Sequence, residues 1–164
     1  MSAIVAVDAS VLVWMLEPEP EDDVERLKAW TNVREAMRQL RDAGSVFVVP
    51  APAMAELHSG PTGSLIASLL AQRSSRMRVE PLDYHAAELA GEMIAKAPRP
   101  RPPALSRNVV KYDALIAAIA HRLGAAALVT ADERGFPKYL NAVSSTVRVE
   151  IATLPRGQLR LLRT

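Results

Sequence analysis

Hydrophobic positions along the chain fall into two kinds of block. Ile4 to Val7 is a continuous apolar run, the pattern of a strand buried on both faces, and Ser10 to Leu16 follows it as a helical turn or two. From Glu21 to Ala43, apolar residues return at helical spacing (Val24, Leu27, Trp30, Val33 or Met37, Leu40) with charges between them, and Gly44 is placed to cap the end. Val46 to Val49 predicts a second buried strand, which Pro50 and Pro52 break ahead of a helix from about Ala53 to His58. Leu65 to Arg73 and Tyr84 to Lys96 carry helical patterns, while Met77 to Val79 reads as a short strand or a connector. The stretch APRPRPPALSRN, Ala97 to Asn108, holds four prolines and three arginines and predicts an exposed loop, not a domain linker. Val109 to Leu123 is apolar almost all round, so a buried helix is expected, with Gly124 ending it before a strand from Ala126 to Thr130. A final strand, Val147 to Thr153, precedes a basic tail, and no internal repeat is visible. Strands alternating with helices predict a three-layer α/β/α sandwich with a mostly parallel sheet.

Composition narrows this picture. A chain of 164 residues, 49% hydrophobic, is expected to form one domain over 1–164 without covalent staples. With no cysteine, disulfides, thiolate zinc sites and a cysteine nucleophile are excluded, which fits a reducing compartment; the cytoplasm is the simplest address. Met1 to Val7 has no basic segment and meets a charge at Asp8, too soon for a signal sequence or a membrane span, so a soluble protein is expected. The net charge of +2 is only mildly basic. If several acids gather in one place, however, the remaining surface is more positive, and the arginines of 73–78, 99–107 and 156–163 could then contact phosphates; scattered arginines are equally ordinary surface.

Candidate chemistry lies in the acids. Asp8 immediately follows the first expected strand and Asp132 comes two residues after the strand ending at Thr130, so both stand at carboxyl ends, where open parallel sheets form their ligand crevice. Glu56 falls early in the helix after the second strand, on the same rim. Asp113 shares a helix face with Ile116, Ala117 and Ala120, where an unpaired buried charge would be costly. Each acid alone has an ordinary explanation, since Asp and Glu are stabilised at helix N-termini and Asp8 or Ser10 could simply cap a helix. Jointly, four carboxylates at one sheet edge repel one another unless something positive lies between them, and hard oxygen donors select Mg²⁺ or Mn²⁺ over zinc.

Four patches, AVDASVLV around Asp8, PAMAEL around Glu56, YDALIAAIA around Asp113 and LVTADERGF around Asp132, together resemble the PIN-domain family of ribonucleases, which includes toxins of bacterial toxin–antitoxin pairs (VapC-like). The resemblance spans roughly residues 4 to 153. It implies a PIN-like fold and a ribonuclease that binds one or two Mg²⁺ or Mn²⁺ ions and hydrolyses RNA phosphodiesters. Partners implied are a homodimer and a small antitoxin protein, with no membrane. Asp8, Glu56, Asp113 and Asp132 match the family's acidic quartet, as metal ligands and catalytic residues; Ser10 and Thr130 match small polar positions that would fix carboxylate rotamers. The proline-rich loop and the helix from 21 to 43 look larger than in the smallest members, and Glu133 could assist Asp132 or substitute for it.

Other features receive no role. His58, His85 and His121 lack ligand spacing; Gly60-Pro-Thr-Gly63 lacks the context of a nucleic-acid loop and the lysine of a phosphate loop; Trp14, Trp30 and the methionines sit among aliphatics as packing. Lys111 or Arg134 could touch a phosphate or be plain surface. Alternative readings are a non-toxin RNA-processing nuclease, a Mg²⁺-dependent phosphohydrolase of haloacid-dehalogenase type, and a non-catalytic RNA-binding scaffold. The phosphohydrolase requires Asp-x-Asp, where this chain has Ser10, and the scaffold is expected to have lost acids that are all present here.

Overall fold

A computed structural model describes residues 2–61, 77–98, 107–133 and 135–155, with the backbone alone for 107–111. The helix expected over 65–73 and most of the proline-rich loop lie outside the described residues. In chain order the elements are β1 (Ile4–Val7), α1 (Ala9–Leu16), α2 (Val24–Asp42), β2 (Val46–Pro50), α3 (Ala51–Ser59), β3 (Met77–Glu80), α4 (Tyr84–Lys96), α5 (Arg107–Arg122), β4 (Ala127–Thr130), α6 (Pro137–Ala142) and β5 (Arg148–Ile151). All strand pairings are parallel, in the order β3-β2-β1-β4-β5. Helices on both faces complete the three-layer α/β/α sandwich. Connections run outward from β1 through β2 to β3, then jump back past β1 to β4, so the order reverses between β1 and β4. Loops leaving those two carboxyl ends diverge there and open a crevice.

The apolar runs behave as their lack of alternation demands. β1 residues Val5, Ala6 and Val7 and the whole of β4 are buried. Ala114 and the residues from Ile116 to Ala120 in α5 form the most continuous buried helical stretch, and Gly124, at φ 60°, turns the chain into β4 in a conformation costly for other residues. α2 is capped by Asp23, whose side chain accepts the Arg26 N–H at 2.9 Å, and Gly44 leaves it at φ 82°.

Several boundaries differ from the sequence reading for identifiable reasons. α3 begins at Ala51 rather than Ala53, because Pro52 occupies the first turn, where no N–H is needed, and Pro50 closes β2 instead of interrupting it. The apolar stripe of α2 is narrower than its spacing suggests: Val33, Ala36 and Met37 are buried, whereas Val24, at the solvent end, is 67% exposed. Met77–Glu80 is a strand, an edge one paired among the described residues with β2 alone, and its Arg78 and Val79 are exposed. β5 is shorter than Val147 to Thr153 and forms the other edge. α6, started by Pro137, was not anticipated; its six residues are too few for a periodic signal. Among the described residues no helix is long and apolar enough to cross a membrane.

Candidate active site

The crevice between the diverging loops holds a pocket lined by Asp8, Ser10, Glu56, Asp113 and Asp132, with Val13, Leu57 and Phe136 as apolar wall and Gly60 and Pro61 at one side. Acids from four separate parts of the sequence thus meet in one place. Asp8 comes from the end of β1, Glu56 from α3 beyond β2, Asp113 from α5 and Asp132 from the loop after β4.

Asp8 is 6% exposed and is held on both carboxylate oxygens. Its Oδ1 accepts the Ala9 N–H at 2.8 Å, making it the N-cap of α1. Its Oδ2 accepts from the Ser10 hydroxyl at 2.5 Å and from the Thr130 hydroxyl at 2.9 Å. Ser10 Oγ in turn accepts the Ala131 N–H at 2.9 Å, and Thr130 Oγ1 accepts the Asp132 N–H at 3.0 Å. One hydroxyl network therefore joins the end of β1, the start of α1 and the loop after β4. The capping explanation for Asp8 and the pocket explanation hold together, since one oxygen serves mainly each. Burial pushes the Asp8 carboxyl up, while these hydrogen bonds pull it down, with burial the larger effect.

Asp113 has no such support. It is 9% exposed, and its Oδ2 is buried without a hydrogen-bond partner. That oxygen lies against Gly135, so closely that a Cβ there would stand 2.6 Å from it. Burial, then the negative charges of Asp8 and Asp132, push the Asp113 carboxyl up to about 7, against an opposing influence from Lys138. Glu56 is half-buried and is likewise raised to about 7, first by burial and then by Asp8 and Asp113. The buried Tyr139 hydroxyl is pushed up to about 12 by burial and by Asp113. Two carboxyls near neutrality beside a third acid mark a region short of positive charge. Asp132 is the exposed member, on the rim.

Among the described residues, no three Asp, Glu, His or Cys side chains are gathered closely enough to hold a metal ion as they stand. The donor chemistry nonetheless suits a hard divalent cation: every donor is an oxygen, one buried carboxylate oxygen lacks a partner, and two carboxyls are raised by burial and by the neighbouring acids.

The histidines stay outside the pocket lining. His121 Nδ1 is paired with Ser145 Oγ at 2.8 Å and His85 lies 3.8 Å from Glu88. Glu133 is exposed and does not line the pocket. Arg134 and the side chain of Lys111 fall outside the described residues. The sequence reading missed Gly135, Phe136 and Lys138. Gly135 and Phe136 lie in the patch around Asp132, and nothing in its spacing distinguishes a glycine packed on a carboxylate from a turn glycine. Gly60 and Pro61, given no role from the sequence, line the pocket.

A parallel α/β sandwich that collects carboxylates where its strand order reverses defines a class of protein with one acidic crevice at the sheet's carboxyl edge. The sequence matches the PIN domain over residues 5–140, and the chain belongs to that family. No curated protein matches it. Among solved structures, VapBC2 of Rickettsia felis, bound to a DNA fragment from their promoter, shares the fold with a TM-score of 0.52 at 18% identity, covering 80% of this chain and 89% of that one. VapC20 of Mycobacterium tuberculosis, a Sarcin-Ricin loop cleaving toxin, does so with a TM-score of 0.52 at 15% identity, covering 79% and 91%.

Proposed function

We propose that the chain is a metal-dependent ribonuclease that hydrolyses RNA phosphodiester bonds as the toxin of a toxin–antitoxin pair. The observation that carries this reading is the pocket in which Asp8, Glu56, Asp113 and Asp132 meet, two of them raised to about 7. A fold gains nothing in stability by burying acids against one another, so such a pocket is explained best by a cation it is built to receive. Asp8, Glu56, Asp113 and Asp132 are the residues that would hold Mg²⁺ or Mn²⁺, which when bound acidifies water and offsets charge on phosphorus oxygens.

The chain's own residues prepare the site. Ser10 and Thr130 fix the direction of the Asp8 carboxylate, so it loses little freedom on ligation. Glu56, half-buried beside Asp8 and Asp113, is placed to hold the cation or to orient an attacking water. Leu57 and Phe136 give the pocket an apolar wall that strengthens charge interactions inside it. Family membership supports nuclease chemistry, and the fold shared with VapC20, itself a cleaving toxin, favours a toxin. The same reading makes the protein a cytoplasmic homodimer restrained by a small antitoxin protein.

The test is incubation of the purified protein with a mixed RNA pool, with Mg²⁺ or Mn²⁺ and with EDTA. Cleavage is expected only with metal, and Asp8→Asn or Asp113→Asn should lower it by about 100-fold or more with the fold intact. Cleavage that survives the chelator, or an Asn variant as active as the wild type, counts against the assignment.

A further inference from the structure

Gly135 occupies the place where the loop after β4 crosses α5. A Cβ on it would lie 2.6 Å from Asp113 Oδ2 and 3.2 Å from Asp113 Cγ, distances that leave no room for a methyl group. Gly44 and Gly124 are the described glycines held at positive φ; at Gly135 the observation is the close contact with a side chain. What the missing side chain permits is the close approach itself. The oxygen it covers is the one that is buried without a partner.

We infer that Gly135 is a positioning residue for Asp113, its bare Cα fixing the rotamer in which that carboxylate faces the other acids. The inference rests on Asp113 being one of the working acids of the pocket. Its distinctive consequence is a separation of stability from function. Alanine at 135 collides with the free end of a side chain rather than with backbone, so the carboxylate turns aside and the fold survives. Turning aside also takes an unpartnered oxygen out of its buried position, so folding loses nothing in the exchange. The only group displaced is the one the chemistry needs.

Gly135→Ala and Gly91→Ala are the variants to compare. Gly91 lies within α4 with open space around its Cβ, and alanine there controls for the loss of a glycine as such. For Gly135→Ala, kcat for RNA cleavage should fall about 100-fold, as for an ångström-scale misplacement, with KM unchanged. The Kd for Mn²⁺, measured by calorimetry without RNA, should rise about 10-fold or more. Its Tm should stay within about 3 °C of the wild type, and Gly91→Ala should match the wild type in kcat and Kd. On an Asp113→Asn background, adding alanine at 135 should leave the Mn²⁺ Kd where Asp113→Asn alone puts it. Wild-type kcat and Kd in Gly135→Ala, with Asp113→Asn inactive, would overturn this inference alone. A Tm drop of about 10 °C would overturn it too, by making Gly135 structural. A wild-type protein that neither cleaves RNA nor binds Mn²⁺ removes the acid-pocket reading and this inference with it.

Discussion

Asp113 is a residue that folding alone would not choose. Its Oδ2 is buried with no partner, at a cost of roughly 1–3 kcal/mol for an unsatisfied buried polar group. The cost depends on pH in a direction that can be worked out. In the folded, metal-free protein, Asp113 and Glu56 keep their protons up to about pH 7, whereas in the unfolded chain they release them near the ordinary carboxyl values of about 4. Between those limits the folded state binds more protons than the unfolded one. The contribution of these groups to stability is therefore greatest below about pH 4 and is lost as pH rises through about 7. Thermal melts in EDTA should show wild-type Tm falling from pH 5 to pH 8, with a shallower fall in Asp113→Asn. At pH 8 that variant should be the more stable, because asparagine brings no ionised group into the buried position. Identical pH profiles for the two proteins would show that Asp113 carries no such burden.

Between elements, the hydroxyl network at the ends of β1 and β4 decides how the site is held. Thr130 is fully buried; it donates to Asp8 Oδ2 and accepts the Asp132 N–H, so one side chain braces an acid from each strand. Valine fits the same space and strand conformation but can do neither. Thr130→Val should lose about 1.5–3 kcal/mol in denaturant unfolding, the range for a hydrogen bond to a charged group, and metal-dependent cleavage should drop about 10-fold or more. Unchanged stability would mean that Ser10 alone suffices to hold Asp8. The element order and the places of Asp8 and Asp132 were legible in the sequence because unbroken apolar runs such as Ile4 to Val7 admit few alternatives and an acid directly after one must lie at a strand's end. Asp113 was legible for the opposite reason, as a charge misplaced on an apolar face. What stayed hidden is contact between distant segments. Gly135 on Asp113 is a tertiary relation that no local period encodes, Thr130 was reached through the family resemblance rather than through any period, and α6, with six residues, spans less than two helical turns.

For the molecule as a whole, the question is what compensates a charge distribution so uneven. The chain carries a net +2, yet its central crevice concentrates acids that raise one another's proton affinity. If the crevice exists to receive a divalent cation, binding to the folded state alone must stabilise it by mass action, by about 2.7 kcal/mol at 100 times the Kd. For a chain of this size that corresponds to a rise in Tm of roughly 5–10 °C. The cation competes with protons for the same oxygens, so the rise should be small at pH 5 and largest above about pH 7, where Asp113 and Glu56 are ionised. It therefore opposes the fall expected in EDTA over the same range. Removing one negative charge from the pocket, as in Asp8→Asn, should shrink the Mn²⁺-induced rise at pH 8, whereas removing one from the surface, as in Glu25→Gln on exposed α2, should not. Melts of the three proteins with Mn²⁺ and with EDTA separate a built site from diffuse attraction: equal shifts in all of them would mean that the ion responds to overall charge and that the acids of the crevice form no site.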